Sequence, residues 1–394
     1  MVDWNYQSKM VAALAQSPAL AHSKFTVLDV GASGGLEQIW RQYGALLHAH
    51  CFDPLVTEVD RLNAIEPSPN VRYHAAWITI ADEEILAGKK APGYPDTLSF
   101  HLTSAMRAAR AMKQNYVQEV FNSGAPLVYA DRNISIDDFC VEEKCASVDF
   151  IKIDTDGHDY YALRGAAQTL KTRGVLGLMI ESQYHGSTHP YANTFSNIDL
   201  FMRECGYTLF HLDAWRYTRS GLPGVFCYDI QAQTRTGPVQ WGDAVYFLDP
   251  LLHPELLDTL DAVALAKLLM LYDTFGLVDC VASLLQAMRD KGVELAGVDL
   301  TALLDACVPD NPYGLARYDE YIAFFDKDPT TFYPTRWDAA CKKDEPEAAI
   351  VEPAPVAEIP ETAAVVAEQV VMAVQPSPSS PDRSGWLARL FGKN

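Results

Sequence analysis

From Phe25 onward, short apolar runs alternate with stretches of three- and four-residue apolar spacing, the pattern of a βαβ sheet buried on both faces. "FTVLDVG" (25–31) reads as the first strand, "LEQIWRQYGALL" as the first helix, "HAHCFDP" (48–54) as the second strand and "VTEVDRLNAI" as its helix. "VRYHAAWI" (71–78) predicts a third strand. All three strands are rich in β-branched or aromatic residues and bounded by turn formers.

The rhythm breaks at about 80–133, where "KKAPGYPDT" predicts a loop and "TSAMRAARAMKQNYVQEVFNSG" a helix ended by Gly124. An insertion here is expected to cover the end of the sheet. Alternation resumes with the helix start "SIDDFC", in which Ser135 and Asp138 have capping-box spacing. The strand "VDFIKID", the helix "DYYALRGAAQTLKT", the strand "VLGLMIES" (175–182) and the helix "NIDLFMRECG" follow. "YTLFHLD", "GVFCYDI" and "DAVYFLD" predict further strands, the last of them forming an antiparallel edge. The expectation is therefore an α/β fold, with a mostly parallel, doubly wound sheet over residues 1–249.

After Pro250, "PELLDTLDAVALAKLLMLYDTFG", "LVDCVASLLQAMRDKG" and "LTALLDAC" have helical periodicity, which predicts a small helical module at 250–341. Residues 342–381 are rich in Pro, Ala and Glu and read as a disordered linker that cannot bury a core. In the last stretch, 382–394, Trp386, Leu387, Leu390 and Phe391 share a helical face beside Arg389 and Lys393. A short amphipathic helix of this kind suits docking on a protein partner or an acidic membrane surface; a frayed tail is the plainer alternative.

Charge narrows the function. Across 394 residues the formal net charge is −20, which repels a phosphate backbone, so nucleic acid is not an expected partner. The eight cysteines are scattered without a CxxC pair and read as reduced, small hydrophobes. The first 25 residues lack a basic segment followed by an apolar core, and no later run has membrane-spanning length, so the expected location is cytoplasmic.

"DVGASGG" (29–35) places a glycine loop between a strand and a helix, where backbone can approach a ligand closely. The spacing is not GxGxxG. The second strand ends on Asp53, in the place where an acidic residue accepts both ribose hydroxyls of a nucleoside, while acidic residues around the loop disfavour a pyrophosphate. Adenosine without phosphates fits better than a dinucleotide. S-adenosylmethionine, with its cationic sulfonium, is the expected cofactor, and Asp29 is positioned to take its amino group directly or through water. A purely structural turn is the alternative for this loop.

"VLDVGASGG", "CFDP", "SIDDF", "VDFIKIDTDGHDYYALRGAAQTL" and "LMIES", in this order and at these distances, resemble the FkbM-type methyltransferases over about 25–210. The resemblance implies a Rossmann-like class I methyltransferase fold and methyl transfer from S-adenosylmethionine to a hydroxyl, often of a saccharide, glycan or secondary metabolite. It also implies that Asp29, Gly31, Ala32, Ser33 and Gly35 hold the methionine part of the cofactor, that Asp53 holds the ribose, and that Ala76 and Trp77 wall the adenine. Two departures stand out: the family's Glu-Pro is Asp53-Pro54 here, and its Glu-Gly is Asp156-Gly157. Both keep the charge and shorten the reach.

Along "FIKID", Phe150, Lys152 and Asp154 share one face of the strand, which places Asp154 at the carboxyl end of the sheet where ligands bind. A carboxylate there serves O-methylation as general base or by holding a divalent cation. Asp154 is the first choice for either role, with Lys152 keeping it ionised or positioning the substrate oxygen. Glu181, at the end of the next strand, and His185 complete the candidate catalytic set. A metal, if present, would fall to Asp154, Asp156 and Glu181; an acid–base pair without metal fits equally well. Asp159 reads as a helix-start residue, and His158 as surface or cap. Two other classes stay open: a glycosyltransferase using Asp154-Thr155-Asp156 to hold a metal and a nucleotide sugar, and a silent scaffold with a cofactor-binding fold.

Overall fold

The computed structural model describes residues 3–80, 128–155, 157–184, 188–216, 237–327 and 329. The strands are β1 (Phe25–Val30), β2 (Leu47–Asp53), β3 (Val71–Ala75), β4 (Trp77–Ile78), β5 (Asn133–Ile134), β6 (Phe150–Ile153), β7 (Gly177–Gln183), β8 (Thr208–Leu212), β9 (Trp215–Arg216) and β10 (Val239–Phe247). The main sheet runs β3-β2-β1-β6-β7-β10-β8, with β9 also paired to β10. Strands β3, β2, β1, β6 and β7 are parallel, whereas β10 is antiparallel to β7, β8 and β9. The expected α/β architecture with an antiparallel edge is therefore present. The chain leaves β1 toward β2 on one side and returns through β6 on the other, so the switch in strand order lies between β1 and β6.

The helices are α1 (Lys9–Leu14), α2 (Gln38–Arg41), α3 (Val56–Ile65), α4 (Ile136–Glu142), α5 (Asp159–Arg164), α6 (Ala167–Thr172), α7 (Phe195–Glu204), α8 (Leu256–Thr259), α9 (Ala262–Thr274), α10 (Val278–Asp290), α11 (Leu300–Cys307) and α12 (Tyr318–Lys327). Strand alternation sorts the core into two layers. Val27, Cys51, Phe150, Met179 and Val245 pack with α1, α2, α3 and the helices after Pro250. Leu28, Phe52, Ile151, Ile180 and Tyr246 pack with α4 to α7.

Helix α9 is apolar almost all round, and residues Leu265 to Thr274 are all buried, the behaviour of a core helix rather than a surface one. Its residues share one buried cluster with β1, β2 and β6, and Met1–Lys327 form one compact unit. Two charges on α9 are buried with partners. Asp273 accepts hydrogen bonds from Tyr6, from the Ser8 hydroxyl at 2.7 Å and from the Met10 amide at 2.8 Å, tying down the amino-terminal segment. Lys267 donates to both oxygens of Asp149, at 2.9 and 3.0 Å, and to the Lys24 carbonyl.

Two expected elements are divided. The run 71–78 leaves the sheet at Ala76, whose amide donates to the Asp53 carbonyl, and Trp77 and Ile78 then pair in parallel with β5. The run 159–172 breaks at Gly165, where a Cβ would stand 2.2 Å from the Thr79 carbonyl oxygen. At Gly165 that close approach of a second backbone is invisible to periodicity. At the start of α4 the N-cap half of the expected capping box forms: the Asp138 amide donates to the Ser135 hydroxyl, and that hydroxyl donates to the Asp138 carboxylate at 2.7 Å. Most of the expected insertion at 80–133, the strand expected at 224–230, Asp156, His185 and the terminal helix at 382–394 lie outside the described residues.

Candidate active site

At the switch point the glycine loop folds over the ends of β1 and β6. The Gly31 and Ala32 amides both donate to the Phe52 carbonyl at 2.9 Å, and the Asp154 amide donates to the Val30 carbonyl at 2.9 Å. Gly31 has φ +86°, and a Cβ on it would stand 1.7 Å from the Asp154 carbonyl oxygen. Glycine is thus required both by backbone conformation and by the approach of the strand that carries Asp154. Further along, the Gly34 amide donates at 2.9 Å to Glu58, a fully buried carboxylate on α3 that is also paired with Arg61. The Leu36 amide donates to the Tyr73 hydroxyl at 3.1 Å. The loop is thus held by β2, by Glu58 on α3 and by Tyr73 on β3.

Register places Asp29 directly beside Lys152, on one face of the sheet. The Lys152 ammonium lies 3.4 Å from Asp29 and 3.5 Å from Asp154. Burial works against its charge, but Asp29, Asp154 and Glu37 outweigh burial and hold it well above the usual lysine range. Asp29 is fully buried, and desolvation raises its pKa against the pull of Lys152; Glu37 is raised for the same reason. Asp243, opposite Glu181 on the antiparallel neighbour β10, is pushed up to about 7 by burial and then by the charge of Asp154. One lysine thus balances an excess of carboxylates.

Above this layer opens a cavity of about 500 Å³ whose walls include Gly31, Ser33, Asp53, Trp77, Asp154 and His158. That volume suits a small cofactor. Asp53 accepts the Leu55 amide at 2.7 Å on Oδ1, and burial pushes its pKa up to about 6. Trp77 donates its indole N–H to the Ala130 carbonyl and stacks on Tyr129, which fixes its ring at the rim. The Asp154 side chain is 41% exposed, whereas its partner Lys152 is 7% exposed, so the acid and not the amine meets the cavity.

Asp159 is the anchor of the turn after Asp154. It accepts from the Thr155 amide at 2.6 Å, the Thr155 hydroxyl at 2.9 Å, the Gly157 amide at 3.1 Å and the Asn193 side chain at 2.9 Å. It therefore fastens the preceding turn rather than capping α5, whose N-cap is His158. Burial and the charge of Asp154 push Asp159 up to about 7.

Of the residues expected from the sequence, Gly31, Ser33, Asp53, Ala76, Trp77 and Asp154 line the cavity. Asp29 and Lys152 lie beneath it, Ala32 is buried behind the loop, and Gly35 rests near Leu62 and Tyr73. Glu181 is buried on β7, outside the cavity wall. Among the described residues, no group of three or more His, Cys, Asp or Glu is arranged to hold a metal ion. The sequence reading missed Thr155 and His158. His158 stacks on Tyr161 at 5.0 Å, places Nε2 3.1 Å from the Thr79 hydroxyl and faces the cavity. Its place in the turn between Asp154 and α5 was the available signal. Glu37, Glu58 and Asp243 were also missed, since each reaches the site only through tertiary packing.

Residues 56–209 match the family model described as the methyltransferase FkbM domain. Over this stretch the chain is similar to the FkbM methyltransferases. The matched stretch holds Asp154 and Lys152 and begins after Asp53, so the glycine loop and Asp53 join the site through the fold. Among solved structures, the chain is similar to a SAM dependent methyltransferase from Aquifex aeolicus, at 12% identity over 60% of this chain and 92% of that one, with TM-score 0.26. It is also similar to a TehB-like SAM-dependent methyltransferase from Corynebacterium glutamicum, at 11% identity over 58% and 83%, with TM-score 0.24. No curated protein matches the chain. No helix among the described residues is long and apolar enough to cross a membrane.

Proposed function

We propose that the protein transfers a methyl group from S-adenosylmethionine to a hydroxyl, on an acceptor such as a saccharide. The observation that carries this reading is the meeting, in one cavity, of a glycine loop, a strand-end carboxylate suited to ribose, and Asp154 at the neighbouring strand end. The donor set fits the cofactor. Asp53 commits Oδ1 to Leu55 and turns toward the cavity, where a carboxylate accepts from a diol. Trp77 offers an aromatic wall to a purine. The carboxylates beneath the loop favour a cation above them.

When bound, S-adenosylmethionine supplies an electrophilic methyl group. The chain's part is to bind the acceptor hydroxyl beside Asp154 and to take its proton as the oxygen attacks. Lys152, whose charge the surrounding carboxylates favour, stands 3.5 Å from Asp154 and holds it in place. Asp159 accepts from the Thr155 and Gly157 amides, which ties the residue after Asp154 to the start of α5. His158 is a second proton acceptor on the same wall.

The test is turnover with a panel of hydroxylated acceptors in Asp154→Asn and His158→Gln. A large loss in Asp154→Asn with unchanged cofactor affinity supports Asp154 as the base. A loss confined to His158→Gln transfers the role to the imidazole.

A further inference from the structure

A second cavity, about 830 Å³, opens at the opposite, amino-terminal edge of β1, β2 and β3. Its character is reversed. Lys24, Arg72 and Lys144 line it, all are exposed, and none has an ion-pair partner among the described residues. Three carboxylates share the lining, but two are committed: Asp149 is consumed by Lys267 and the Thr26 amide, and Asp261 caps α9 through the Ala264 amide at 2.7 Å. Among the described residues, Glu143 is the one lining carboxylate with neither a lysine nor a capped amide on it. Burial first, and then the fields of Lys24 and Arg72, lower the pKa of His48.

The lining is also rich in neutral hydrogen-bonding groups. Ser23, Asn70 and Ser147 join buried Thr26 and His50. Lys144 sits at φ 54°, a left-handed conformation uncommon for a lysine, in the turn that follows α4 and forms part of the lining. In a chain of net charge −20, four cations against three carboxylates around a roomy polar hollow run against the general trend.

We infer that this hollow binds a small phosphorylated polyol, its phosphate held by Lys24, Arg72 and Lys144 and its hydroxyls by the serine, asparagine and histidine side chains. The site is separate from the methyl-transfer cavity and does not depend on the reading of that cavity. A phosphomonoester supplies the charge for the cations and the hydroxyls for the neutral lining, and its size suits the volume.

The experiment uses the full chain at low salt, titrated calorimetrically with inorganic phosphate, glucose 6-phosphate and glucose. Both phosphates are expected to bind, glucose 6-phosphate more tightly, and glucose to give no heat. Arg72→Gln and Lys144→Asn, the latter keeping a residue that tolerates the turn, are each expected to weaken binding about tenfold. Histidine NMR should show the His48 titration midpoint rising when phosphate fills the site, because the anion offsets Lys24 and Arg72. Absence of binding to the folded wild-type chain overturns the inference. So does binding that both variants leave unchanged.

Discussion

Two lysines are buried against the same sheet, and they are held in opposite ways. Lys267 donates to both oxygens of Asp149 at 2.9 and 3.0 Å and to a backbone carbonyl, so its charge is matched and its hydrogen bonds are used. Lys152 stands at 3.4 and 3.5 Å from Asp29 and Asp154, within a field that also includes Glu37 and Asp243. Lys267 fastens α9 beneath β1 and β6. Lys152 leaves a surplus of negative charge beside a cavity. A matched buried pair serves the fold, whereas an unmatched set stores a potential that a cationic ligand can use.

The comparison is sharpened first at Asp154. Asp154→Asn is expected to lower turnover by about 10²- to 10⁴-fold, the usual worth of a general base, while melting temperature and cofactor affinity change little. Steady-state kinetics beside a thermal melt would check it.

Lys267→Met should act on the other side of the comparison. Leaving Asp149 buried and uncompensated is expected to cost about 3–5 kcal/mol in denaturant unfolding. The double variant Lys267→Met/Asp149→Leu should recover much of that loss. Recovery is the decisive part, because it distinguishes a stranded charge from lost packing.

A smaller effect is expected at Asp53. Its folded pKa is raised to about 6, so the carboxylate is protonated as pH falls through 6 and cofactor affinity should decline about tenfold per unit below that. The stability sign is opposite. An acid whose folded pKa is raised opposes folding increasingly as pH climbs from its ordinary value of 3.8 to about 6. Asp53→Asn should therefore weaken binding without lowering the melting temperature. Glu58→Gln is expected to have the smallest effect, a several-fold loss of cofactor affinity through a looser glycine loop, readable by the same titration.

Much of this site was legible in the sequence because it is built from strand ends. Apolar runs that stop on Asp29, Asp53 and Asp154 announce both the strands and the edge at which ligands gather. Alternation alone put Phe150 and Lys152 on one face and Ile151 and Ile153 on the other, and the two core layers have that division. What could not be read depends on contacts between distant segments. Helix periodicity gives the apolar face of α9 but not the sheet it packs against, and nothing local pairs Lys267 with Asp149 across 118 positions. Nor does the short span from Asp154 to Asp159 reveal that Asp159 turns back to hold Thr155 and Gly157. The glycine at 31 was visible, but its reason, the Asp154 carbonyl pressed against it, was not.

The most direct measurement is calorimetric titration of the wild-type chain, Asp53→Asn and Asp154→Asn with S-adenosylhomocysteine. Wild type and Asp154→Asn are predicted to bind alike, and Asp53→Asn to bind more weakly while remaining folded. Absence of binding to a folded wild-type chain would contradict the assignment of the 500 Å³ cavity to this cofactor.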